Sequence, residues 1–226
     1  RIRNTFKFFL GNLQDMQGFD PDEDGLAPGE MHPVDRWFLN ELYGLVYRVT
    51  QAFEDRDFHR GMNEVHNFCA VEASSLYLDI AKDRLYCEAP GSSARKSAQT
   101  AIYHGFRTLV RLSAPVLAFT TDEAWEYLPG SESVHLSDWP SPSADWEQDR
   151  IAEDFVQLRK AREDVLRHIE EAEDVSDSSE ASVTVSWPAL ESTLREYEDH
   201  LEEWFIVGEV HVIRGADHKL IQVEPV

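Results

Sequence analysis

Between Phe58 and Tyr86 the chain runs for 29 residues without a proline, and its apolar side chains return at helical spacing. Phe58, Met62, Val65, Cys69, Ala73, Leu76 and Ile80 recur every three or four positions, which marks one buried face of a helix. The run is too long for a strand, and its other faces are too polar for a bilayer. A helix of this length with one apolar stripe must bury that stripe against other helices, so the sequence around it has to supply a bundle. A dense cluster, Lys82-Asp83-Arg84-Leu85-Tyr86, closes the run.

The flanking sequence meets that demand. Ile2, Phe6, Phe9, Leu10 and Leu13 predict a first helix, with Arg3, Asn4 and Lys7 on another face. Residues 11–29 are rich in Asp, Gly and Pro and read as a loop. A second helix is expected from Pro33-Val-Asp35, with Asp35 as its N-cap. Its stripe is Phe38, Leu39, Leu42, Leu45, Val46, Val49 and Phe53, and Trp37 lies off it. After Ala89-Pro-Gly-Ser-Ser93 a fourth helix reaches Leu112, with Ala94, Ala98, Ala101, Ile102, Phe106 and Leu109 inward and Pro115 ending it. Lys96, Tyr103, Arg107 and Arg111 form a basic-aromatic side of that helix. Thr120-Thr-Asp-Glu123 has the pattern of a capping box opening a short helix that stops at Pro129-Gly130. Residues 131–143 hold two prolines, Pro140 and Pro142, just after Trp139 and read as a linker.

The character then changes. Residues 145–173 predict a charged helix with Ile151, Phe155, Leu158, Val165 and Ile169 inside. Residues 181–187 alternate as a strand, 190–204 predict a helix, 205–213 a second strand and 220–223 a third. The first strand-helix-strand unit is suited to parallel pairing. The expected architecture is therefore mainly α: a helical bundle over 1–140, then a small α/β module over 141–226.

Composition limits the function. A 42% hydrophobic content is enough for a real core, and no apolar run is long enough to span a membrane. Two cysteines form no disulfide framework and suit a reducing cytosol, so the expected location is cytoplasmic. The chain opens without Met or a signal stretch, inside a helical pattern, and the simplest expectation is a piece of a longer protein. The net charge of −22 taken alone disfavours nucleic acid, because phosphate binding needs local positive charge. The acidity is concentrated late: residues 141–226 carry 22 acidic and 8 basic residues, against 21 and 13 in residues 1–140. With five Lys against 16 Arg, this composition suits solubility in high salt, with an ordinary acidic bacterial protein as the plain alternative. On the high-salt reading melting temperature and solubility rise with KCl, and a flat response would sink it.

Ordered blocks across residues 1–175 carry a resemblance. They are Ile2-Arg-Asn-Thr-Phe-Lys-Phe-Phe-Leu-Gly-Asn-Leu13, Asp35-Arg-Trp37, Phe58-His59, His66-Asn-Phe-Cys69, Ser75-Leu-Tyr-Leu-Asp79 and Lys82-Asp-Arg-Leu-Tyr86, followed by Ala114-Pro115, Phe119-Thr, Glu123-Ala-Trp125 and Ser133-Val-His-Leu-Ser-Asp-Trp-Pro140. This series is similar to the anticodon-binding region of bacterial-type isoleucyl-tRNA synthetases, class I aminoacyl-tRNA synthetases. Asp-Arg-Trp recurs in valyl relatives, whereas the His-Asn-Phe-Cys and Lys-Asp-Arg-Leu-Tyr blocks are more particular to the isoleucyl branch. The resemblance implies an anticodon-binding bundle with tRNA-Ile as partner, working beside a catalytic domain of its own chain and as a monomer. ATP, Mg and a Zn tail belong to the full-length family. No His-x-Gly-His, no Lys-Met-Ser-Lys-Ser-like loop and no cysteine after Cys87 occurs in these 226 residues, so no catalytic residue and no cofactor is assigned to them. The same domain from a valyl enzyme, and an acidic interaction module that binds no RNA, are the alternatives.

RNA loops are read by stacking and base-edge hydrogen bonds, with Lys and Arg on the backbone. Arg3, Asn4 and Lys7 are the leading candidates, and the resemblance also places an Asn/Arg-bearing helix there; a merely solvated face is the plain alternative. Trp37 is a candidate stacker or a core plug, and Arg36 a phosphate or ion-pair residue. Lys96, Tyr103, Arg107 and Arg111 offer a basic stripe. Arg84 is either an RNA contact or half of an Asp83–Arg84 structural pair. His66 and Cys69 have metal-ligand spacing without a second pair, and a packed His and buried Cys explain them more simply.

Overall fold

The computed structural model describes residues 1–13, 20–21, 25–128, 132–172, 174–175, 177–215 and 217–226. The Pro129-Gly130 stop, Ser176 and part of the 11–29 loop lie outside the described residues. The chain divides into two compact units, Arg1–Asp149 and Arg150–Val226.

The first unit is a helical bundle: α1 (Ile2–Leu13), α2 (Pro33–Glu54), α3 (Phe58–Asn67), a π-helical segment (Phe68–Tyr77), α4 (Leu78–Tyr86), α5 (Ser93–Ser113) and α6 (Ala118–Trp125). Helix α1 has the bounds its periodicity predicts, and Phe6 and Phe9 are buried. The α2 stripe from Phe38 to Val49 is buried throughout. The core is aromatic: Phe38 stacks on Tyr77 at 4.1 Å and meets Phe9 edge-on at 6.3 Å, and Phe6 meets Phe106 edge-on at 5.9 Å.

The long third helix is real, but its middle ten residues are π-helical. A wider turn rotates the following residues away from a 3.6-residue register. Tyr77 and Leu78 are therefore buried and Leu76 is only half-buried; Phe58, at the start of α3 and ahead of the wider turns, is 52% exposed. His66, in α3 ahead of that segment, is exposed, whereas Cys69 is buried. Burial pushes the Cys69 thiol up to about 12. Among the described residues no group of three or more His, Cys, Asp or Glu could hold a metal ion.

Three local expectations are corrected. His32, not Asp35, caps α2, its ring accepting from the Val34 amide at 3.4 Å. The Thr120–Glu123 capping box does not form, because α6 already begins at Ala118 and Glu123 pairs with Arg3 instead. The supposed linker is a strap: Val134 and Trp146 are buried, Trp139 donates to Thr50 Oγ1 at 2.8 Å, and the Gln148 amide donates to Asn40 Oδ1 at 2.9 Å. Prolines in this stretch stiffen a segment that wraps the bundle.

The second unit contains α7 (Asp149–Glu171), β1 (Ala181–Ser186), α8 (Glu191–Glu196), α9 (Leu201–Phe205), β2 (Glu209–Val212) and β3 (Leu220–Pro225). The sheet order is β2-β1-β3; β1 pairs with β2 in parallel, Val183 opposite Val210, and with β3 antiparallel, Val183 opposite Val223. All five predicted inner residues of α7 are buried. Phe155 meets Trp204 edge-on at 5.0 Å, and the Trp204 indole donates to the Leu158 carbonyl at 2.9 Å. The single helix predicted for 190–204 is instead two short helices, α8 and α9. Among the described residues no helix is long and apolar enough to cross a membrane.

Candidate nucleic-acid interface

Helix α1 buries Phe6 and Phe9, so its opposite side must face solvent. Two clefts open along that side. One, of about 580 Å³, runs between α1 and α6 and is lined by Arg3, Asn4, Lys7, Thr120, Glu123 and Tyr127 among others. The second is lined by Asn4, Lys7, Phe8, Gly11, Asn12 and Tyr86. Asn4 and Lys7 are exposed and border both. Among the described residues neither has a hydrogen-bond or ionic partner, so both are available to a ligand. Arg3 is engaged: it donates to both Glu123 carboxylate oxygens, at 3.0 and 3.2 Å. That pair is solvent-exposed on both sides, and such pairs hold weakly enough to exchange partners.

The other predicted contacts fare differently. Trp37 is 2% exposed and cannot stack on a base. It is a core residue because α2 is covered by α3, α5 and the strap together, so its buried arc is wider than one stripe. Arg84 is also withdrawn from RNA. Its guanidinium makes a two-pronged contact with Asp35, Nη1 to Oδ2 at 2.7 Å and Nη2 to Oδ1 at 2.9 Å. The partner of this two-pronged contact is Asp35, 49 positions earlier, where the sequence pointed to Asp83. Tyr77 donates to Asp35 Oδ1 at 2.7 Å, and Ser97 donates to Oδ2. Burial alone would raise the Asp35 pKa; the charge and hydrogen bonds of Arg84, with His32 and Ser97, outweigh it and hold the carboxyl below its ordinary value.

The α5 stripe is a packed seam, not an open rail. Tyr103 is 8% exposed and its hydroxyl accepts from Arg107 at 2.8 Å. The Arg107 guanidinium lies over the rings of Tyr103 and Trp125. Arg111 donates to the Arg107 carbonyl at 3.0 Å, and burial together with the Arg107 charge lowers its pKa. Lys96 is half-buried near the start of the helix. Arg36 binds the strap, donating from Nε to Gln148 Oε1 at 3.0 Å. Of the ten sequence candidates, only Asn4 and Lys7 are both free among the described residues and set at a cleft, with Arg3 beside them. Sequence reasoning missed Phe8 and Tyr86, which share the second cleft. The one signal was that Tyr86 ends the third helix just beyond its buried stripe.

A polar, partly cationic helix face beside exposed aromatic rings has the residue types that single-stranded RNA contacts use. In comparison with known proteins, residues 35–185 match the family described as the anticodon-binding domain of tRNA ligase. The chain belongs to that family. It is 42% identical over 220 residues to the isoleucine–tRNA ligase of Syntrophotalea carbinolica, an alignment covering 94% of this chain and 23% of the relative. It is 44% identical over 190 residues to that of Moorella thermoacetica, covering 81% of this chain and 20% of the relative. It is 36% identical over 236 residues to that of Aquifex aeolicus, covering 99% and 24%. The anticodon-binding domain described here therefore spans about a quarter of the length of these relatives. The relatives are isoleucine ligases, and the valyl alternative is not favoured.

Proposed function

We propose that this anticodon-binding domain holds the anticodon stem-loop of tRNA-Ile as one part of an isoleucine–tRNA ligase. The observation that carries the reading is the α1 face, where Asn4 and Lys7 stand at two clefts, unengaged among the described residues, in an otherwise acidic molecule. The names of the relatives support the choice of tRNA. Bond making, with ATP and Mg, is assigned to the rest of a full-length ligase. The contribution of these residues is positioning: a held anticodon orients the acceptor end and lowers the entropy cost of reaching the transition state. The proposed protein acts as a cytoplasmic monomer.

The test is anisotropy of labelled tRNA-Ile and tRNA-Val titrated with the chain across a KCl series. The expected result is preference for tRNA-Ile and a negative log–log salt slope, with Lys7→Ala reducing that slope by about 1. Equal affinity for unrelated RNA, or no binding, overturns the proposal and leaves the acidic interaction module.

A further inference from the structure

The second cleft has a composition unlike the rest of the molecule. Its described lining residues are Asn4, Lys7, Phe8, Gly11, Asn12 and Tyr86: one cation, two amides and two aromatic rings, with no carboxylate, in a chain of net charge −22. A partner chosen by the overall charge would be basic. This cleft selects the opposite, an anion carrying flat rings.

The geometry narrows the choice. Tyr86 is 63% exposed, and Phe8 is half-buried beneath it. The two rings meet edge to face, 6.4 Å between centroids and 81° between planes. A contact of this kind covers at most one face of one ring, so Phe8 steadies Tyr86 and leaves a face open. Asn12 is spent on the helix, its amide donating to the Phe8 carbonyl at 3.0 Å. Asn4, by contrast, is exposed and able to offer both a donor and an acceptor. Gly11 opens the space between them: a Cβ built there meets nothing within 4 Å. No packing constraint calls for a glycine at that position, and an alanine would favour the helix. Among the described residues, a glycine there leaves that part of the cleft open.

We propose that Tyr86 and Phe8 form a stacking clamp for an unpaired base of the tRNA loop, with Asn4 at the edge of that base and Lys7 on its phosphate. The clamp rests on the tRNA-binding reading above and adds the residues that hold a base. Stacking on an aromatic face tolerates any base, so the clamp fixes the loop and Asn4 supplies any selectivity.

The experiment uses the 226-residue chain and an anticodon stem-loop RNA of tRNA-Ile, with 2-aminopurine replacing one loop base at a time. Stacking quenches its fluorescence. The expected result is quenching at one loop position. Tyr86→Ala abolishes the quenching and weakens binding about tenfold, while Tyr86→Phe keeps both. Gly11→Leu fills the cleft, abolishes the quenching and leaves the melting temperature no lower than that of the parent chain. If Tyr86→Ala retains quenching and affinity while Lys7→Ala weakens binding, the clamp is overturned and the tRNA reading stands on charge alone. If the parent chain binds no stem-loop RNA, the tRNA reading falls and takes the clamp with it.

Discussion

Arg84→Ala is expected to lower the stability of the helical unit by about 3–5 kcal/mol, because it strands a buried carboxylate. Asp35 is fully buried and Arg84 nearly so, and both arms of the guanidinium are committed to it. Removing the arginine leaves Tyr77 and Ser97 as donors, which solvate the charge in part without neutralising it. Arg84→Lys should recover little, since an ammonium cannot make the two-pronged contact. The apolar double replacement Asp35→Leu with Arg84→Met should recover most of the loss. Urea denaturation of the four proteins measures this. An Arg84→Ala chain within 1 kcal/mol of its parent would show that the pair contributes nothing.

The same pair sets an acid limit. Asp35 has a folded pKa below its unfolded value of roughly 4. Its contribution is therefore fully present above about pH 4 and is lost as pH falls through the lowered folded value, where protonation removes the negative charge that Arg84 pairs with. In Asp35→Asn this part of the acid sensitivity disappears.

These two residues also show what a sequence can and cannot display. The bounds of α1 and the inner face of α7 follow from periodicity, a local property carried by neighbours three or four positions apart, and the parallel β1–β2 pairing follows from the helical connection between the strands. The Asp35–Arg84 pair joins positions 49 apart, and nothing near either residue announces the other. Asp35 reads as a cap because Asp near a helix start is usually one; here Pro33 occupies the first turn and His32 caps it. The π-helical segment is likewise unreadable, since a 3.6-residue period fitted to Phe58–Ile80 averages over the widened turns. Proline and serine made the strap look like a linker, although Trp139 and Trp146 were the sign that it packs. For the candidate interface, Asn4 and Lys7 were legible as a polar face. Tyr86 was not, because an aromatic residue ending a core helix has no signature that separates a packed ring from an open one.

Trp37 provides the sharpest separation of folding from binding. Trp37→Ala is expected to cost about 3–5 kcal/mol, the range for emptying a buried aromatic site. The residue is among the largest fully buried side chains of the molecule, so the cavity left behind cannot be filled by solvent-facing neighbours without moving α2. Trp37→Phe should lose less, since most of the ring volume remains. A stability of order 5–15 kcal/mol leaves the alanine variant folded in part at 25 °C, which makes its affinity measurable once scaled to the folded fraction. That scaled affinity for tRNA should equal that of the parent, because a ring with 2% exposure has no face to offer a base. Tyr86→Ala should show the reverse, little change in melting temperature and a weakened complex. If Trp37→Ala instead melted like its parent and lost tRNA, the buried placement of Trp37 would be wrong. The stacking residue would then lie on α2 and not at the end of α4.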